Sequence, residues 1–115
     1  MPQTVRVYWG HMRGRTPPNF NWPDINRTST VLIPACEWHT DGNHDPQDHD
    51  YTRFVGDATI RVDNIAPHGP PSDPNNGVTF VVEVDWEDAL PICTDITLLD
   101  NVPVQFVHLE NASDL

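Results

Sequence analysis

The chain has 115 residues, enough for one small domain (1–115) and too few for a core plus a separate catalytic domain. Hydrophobic residues make up only 37%, yet four Trp, four Phe and two Tyr supply the bulk of a compact core and argue against wholesale disorder. Seventeen acidic against six basic residues give a formal charge of -11, and no apolar run approaches the ~20 residues that span a bilayer, so nucleic acid and membrane are disfavoured as partners.

The dominant hydrophobic period is two, the period of strands. Val5, Val7 and Trp9 alternate with Arg6 and Tyr8 until Gly10 and the segment Gly14-Arg15-Thr16-Pro17-Pro18, which predicts a first strand ending near His11 or Met12. A proline-flanked loop from Asn19 to Asn26 leads to Thr30-Val31-Leu32-Ile33, a β-branched run expected at a sheet centre or buried on both faces and continuing past Pro34 to Trp38. After an acidic loop, Phe54-Val55 and Ala58 to Val62 resume strand character, with Ala58, Ile60 and Val62 on one face.

From Asn64 to Gly77 four prolines and two glycines predict a long exposed loop without ladder pairing. Val78, Phe80, Val82, Val84 and Trp86 then alternate with Thr79, Val81, Glu83 and Asp85 in the clearest strand of the chain. Glu87 to Pro91 reads as a turn, Ile92, Thr94, Ile96 and Leu98 as the next core face, and Val102, Val104, Phe106 and His108 as a last strand. No capped helical repeat is present, so the fold class is all-β, an antiparallel β-sandwich of six to eight strands with long Pro/Gly-rich loops. Exposed sheet edges point to a homo-oligomer.

Every basic residue is Arg, and Asp outnumbers Glu 13 to 4, a bias that fits a high-salt proteome or a GC-rich coding sequence. Cys36 and Cys93 match no CxxC spacing, so they are either buried thiols or a disulfide. A disulfide over so long a loop would stabilise by roughly 4 kcal/mol and imply an oxidising compartment. The opening MPQTVRVYWG lacks the basic start and apolar centre of a signal peptide, while the sequons at Asn26 and Asn111 are compatible with secretion.

The sharpest local signal is the loop His39 to Asp50, with four Asp, three His, one Asn and one Gln in 12 residues. Oxygen donors at alternate positions, on Asp41, Asn43, Asp45 and then the carbonyl of Gln47, are what calcium requires, and Asp48 and Asp50 are further candidate metal ligands; Pro46 and Thr52 at the sixth and twelfth positions exclude an EF-hand. His39, His44 and His49, with a carboxylate, form an alternative set for zinc or another transition metal. A solvated acidic loop is the third reading. Trp38 beside His39, with Tyr51 on the far side of the loop, could form an aromatic floor for a sugar, whose C–H faces stack on rings while its hydroxyls bond to polar groups. Asp85 is a further candidate polar contact.

The segments Thr30 to Ile33, Ala58 to Ile65 and Val78 to Trp86 follow one another in an order that resembles the H-type lectin domain, over about residues 28 to 100. That resemblance implies a six-stranded antiparallel sandwich that trimerises and binds N-acetylgalactosamine-type sugars. It places Arg61 as a polar contact and Trp86 as a structural aromatic. The chain departs from the pattern in its Pro67 to Asn76 insertion, its acidic loop and its added strand Val102 to Leu109.

P-loop, GxGxxG and GxSxG motifs are absent, and Cys36 and His39, three residues apart on a strand, would point to opposite faces. The leading expectation is a non-enzymatic binding module at a cell or particle surface, carbohydrate-directed with calcium assisting. The alternatives are an assembly subunit of a viral particle or surface layer, and a small metalloenzyme built on His39, His44 and His49.

Overall fold

The structure is a computed structural model and describes residues 2–40, 51–99 and 103–109. Among these residues there is no helix, and nine strands form two antiparallel sheets packed as a sandwich. In chain order they are β1 (Gln3–Met12), β2 (Gly14–Thr16), β3 (Asn19–Asn21), β4 (Thr30–Leu32), β5 (Ala35–Thr40), β6 (Tyr51–Phe54), β7 (Thr59–His68), β8 (Gly77–Asp85) and β9 (Leu90–Leu99).

Sheet A contains β1, β9, β4, β5 and β6, and sheet B contains β2, β3, β8 and β7. Nine strands occupy only seven rows, because two rows are broken by proline. Thr97 pairs with both Thr4 and Leu32, and Thr94 with both Val7 and Ala35, so β4 and β5 share the edge of β9 opposite β1. In sheet B, Val82 pairs with both Thr16 and Val62, and Val78 with both Phe20 and Pro67, so β2 and β3 share the edge of β8 opposite β7. Each break is bridged by a proline carbonyl, since proline lacks only the donor. The Asp95 amide donates to Pro34 at 3.1 Å, and the Phe80 amide to Pro18 at 3.1 Å.

The alternation read from the sequence places the core. Phe80, Val82 and Val84 of β8 face Ile92, Ile96 and Leu98 of β9, and Trp9 meets Phe80 across the sheets at 6.3 Å. Trp22 and Ile25, in the connection between β3 and β4, are also buried, which corrects the reading of Asn19 to Asn26 as plain loop. Gly14, at φ 64°, turns the chain from sheet A into sheet B in a conformation that favours glycine.

Four further expectations change. Leu32 is 52% exposed between buried Val31 and Ile33, so β4 buries one face only. The predicted loop from Asn64 begins later: β7 runs on to His68, past an irregularity where Asn64 takes φ 53°, and Pro67 pairs with Val78. An edge row tolerates that proline, because its missing amide need not serve a second neighbour. Trp86, expected to close the core face of β8, lies past its end and is 40% exposed. Of the predicted strand Val102 to Leu109, the described residues 103–109 have no regular structure and every one is exposed, while Val102 lies outside the described residues. Alternation alone is not enough, because a strand also needs a neighbour to pair with.

Candidate functional site

The outward face of sheet A carries the densest arrangement of polar and aromatic groups among the described residues. On β1 the inward residues are Val5, Val7 and Trp9, which leaves Thr4, Arg6 and Tyr8 outward. Their partners on β9 are Thr97, Asp95 and Cys93, and Cys93 is in turn opposite Cys36 of β5. Trp38, two residues further along β5, pairs with Arg53 of β6. One face therefore collects residues from positions 4 to 97 of the chain.

Asp95 is the organising group. Arg6 donates through Nε to Oδ1 at 2.7 Å and through Nη2 to Oδ2 at 3.0 Å, and Arg53 donates through Nη1 to Oδ2 at 3.0 Å. The fork of Arg6 on the carboxylate is the bidentate geometry that fixes orientation as well as distance. Hydrogen bonding from Arg6, reinforced by the charges of Arg6 and Arg53, holds the Asp95 carboxyl below its ordinary range, and Asp95 in turn keeps Arg6 more firmly protonated. Both arginine side chains stay more than 40% exposed, so each guanidinium is partly open to solvent.

Tyr8 and Trp38 meet edge to face, with ring centroids 5.5 Å apart. They stand on β1 and β5, the two rows flanking β9, so their contact spans β9. This is why Cys93 is only 1% exposed although it points away from the core. Burial pushes its thiol up to about 11, with the adjacent Cys36 and Asp95 adding to the rise. Cys36 is also raised, first by burial. Both cysteines are free thiols. The Pro34 to Asp95 bond marks a hydrogen-bonded pair, and Cys36–Cys93, two steps along the ladder, is of the same kind, with Cα atoms about 5.5 Å apart. That spacing lies within disulfide reach.

Beside the arginines lies an open groove of about 470 Å³, lined by Arg6, Cys36, Thr52, Arg53, Phe54 and Val55. Its size falls in the roughly 300–1,000 Å³ range of small-molecule sites.

The residues singled out from sequence divide between two places. Trp38 is on sheet A as described, and Tyr51 opens β6 opposite Thr40, its side chain lying outside the described residues. Arg61 and Asp85 come together on the outward face of sheet B, lining a hollow of about 180 Å³ with Thr59 and Glu83, and Arg61 is 3.6 Å from Asp63 and 4.0 Å from Glu83. Trp86 follows Asp85 directly. His39 is exposed on β5, with its ring 4.9 Å from that of Phe54. Asp41, Asn43, His44, Asp45, Asp48, His49 and Asp50 lie outside the described residues, and among the described residues no three His, Cys, Asp or Glu side chains gather to hold a metal.

Arg6, Tyr8, Arg53 and Asp95 were not singled out from sequence. Arg6, Tyr8 and Asp95 read there as the exposed half of an alternating strand and Arg53 as a residue between the acidic loop and the next strand, and only the register between strands brings them together.

Comparison of the chain with family models, with curated proteins and with solved structures finds no match.

Proposed function

We propose that the protein is a non-enzymatic β-sandwich binding module and that the outward face of sheet A takes a carbohydrate. The observation that carries this reading is the Tyr8–Trp38 ring pair beside the Arg6–Asp95–Arg53 cluster. Sugars need apolar ring surface for their C–H faces and fixed donors and acceptors for their hydroxyls. The Tyr8–Trp38 pair supplies the first and the Asp95 bridge the second, and the bridge needs no conformational change because the arginines are oriented before any ligand arrives. A sheet face also suits a ligand that is not enclosed, as the open groove beside Arg53 is not.

The resemblance to H-type lectins makes N-acetylgalactosamine-type glycans the first class to screen, and calcium belongs in the buffer because the loop Asp41 to Asp50 keeps its oxygen-rich composition. The test is a glycan array followed by calorimetry, with calcium and with EDTA. Trp38→Ala is expected to weaken the best ligand by about tenfold, the scale of a lost aromatic contact. Arg61→Ala, on the other sheet, should leave affinity unchanged if sheet A is the site. A blank array with calcium present, or equal affinity in Trp38→Ala, would overturn the reading.

A further inference from the structure

Residues 103–109, Pro-Val-Gln-Phe-Val-His-Leu, have the alternation of a strand and no strand partner among the described residues. They expose Phe106 at 79%, Val107 at 70%, Val104 at 47% and Leu109 at 42%. They also contain no Asp, Glu, Lys or Arg, in a chain whose formal charge is -11. Elsewhere on the surface, Val55 is 98% exposed and Phe54 40% exposed, at the end of β6. These two residues rim a hollow of about 160 Å³ lined chiefly by Ala35, Phe54, Val55, Ala58 and Ile60, with Glu37 its one charged side chain. The hollow lies where β6, the edge row of sheet A, gives way to β7 of sheet B.

We infer that residues 103–109 of one copy dock on the β6 edge of a second copy, with Phe106 seated in this hollow. Three features fit this occupant. First, the hollow has room for about one large apolar side chain, and Phe106 is the most exposed aromatic residue described. Second, among the described residues β6 pairs only with β5 along the sheet, so its other edge offers backbone groups to an added strand, and residues 103–109 have backbone groups without a ladder there. Third, two bodies each at -11 repel, and an uncharged segment is the part of the chain that can approach a second copy without that cost. Docking two such arms reciprocally closes a dimer with two identical contacts.

This inference stands apart from the carbohydrate reading, and a blank glycan screen leaves it untouched. It is tested on the full chain by sedimentation velocity and light scattering over a concentration series, using Phe106→Asp and Val55→Asp. Both positions are exposed, so circular dichroism, and melting at dilutions where the parent is monomeric, should match the parent. The parent is expected to associate, and each variant alone to lose at least about tenfold in association constant. Mixing the two variants should recover part of the association, because the mixed pair keeps one of the two contacts intact, the arm of Val55→Asp in the hollow of Phe106→Asp, whereas each variant alone has neither. A parent that stays monomeric, variants that associate like the parent, or a mixture no more associated than its components would each overturn the inference.

Discussion

Asp95 accepts hydrogen bonds from two arginines whose strands lie on opposite sides of β9, so one carboxylate ties three rows of sheet A together. Hydrogen bonds to a charged group contribute about 1.5–3 kcal/mol when shielded. Both arginines are more than 40% exposed, so solvent screening reduces this to about 1 kcal/mol, the loss expected in Asp95→Asn. The carboxyl is lowered from its ordinary 3.8, so its contribution is present above that pH and disappears as pH falls through the lowered value. Melting curves of the parent and Asp95→Asn should therefore differ at neutral pH and converge in acid. Cys93 works in the opposite direction. Its thiol is raised from 9.0 to about 11, so the folded state holds its proton longer than the unfolded chain. Stability is complete below about 9 and is lost as pH rises through about 11, and Cys93→Ser should lack that alkaline decline. The same raised thiol makes oxidation slow at neutral pH. With a low-molecular-weight disulfide as oxidant, Cys36 and Cys93 should lose both free thiols to an intramolecular bond faster above about pH 9, as mass spectrometry would show.

Strand interiors were legible from sequence because a half-buried strand has no freedom over which residues it buries. β8 and β9 expose their alternation directly, and Phe80, Val82, Ile92 and Ile96 all lie where it places them. Register was not legible, since nothing local to Cys36 or Arg6 encodes which residue of β9 stands opposite. The candidate face on sheet A was hidden for this reason, and only its Trp38 was visible in advance. Proline marked the break correctly at Pro17 and Pro18, was read through at Pro34, where the row does break between β4 and β5, and misled at Pro67, where edge position outweighed the missing donor. Gly77 shows a different constraint. A Cβ there would collide with the Phe20 carbonyl and come within 2.8 Å of the Asn21 Cα, both backbone atoms of β3. Gly77→Ala should cost about 2 kcal/mol in chemical denaturation, whereas Gly10→Ala, with open space around it, should stay within about 0.5 kcal/mol.

At the level of the whole molecule the charge is -11 at neutral pH, and the bias toward Asp and Arg gives no excess of cations to offset it. Self-repulsion of this kind is relieved by salt, since the screening length falls from about 30 Å at 0.01 M to about 3 Å at 1 M. The melting temperature is expected to rise across that range by roughly 4 °C for each kcal/mol recovered, measured in sodium chloride to exclude specific divalent binding. A flat response would mean that the acidic groups are spaced too widely to repel. The order of strands along the chain has a consequence for biosynthesis. β1 and β9 are neighbours in sheet A but stand at opposite ends of the sequence, and β4 and β5 use the other edge of the same β9. During translation β1, β4 and β5 therefore emerge well before the strand that joins them. Sheet B can pair as soon as β8 is made and β5 can pair with β6, but the nascent chain must carry β1, β4 and the inner edge of β5 without their partner until Leu99 has left the ribosome, a period in which bare strand edges invite aggregation.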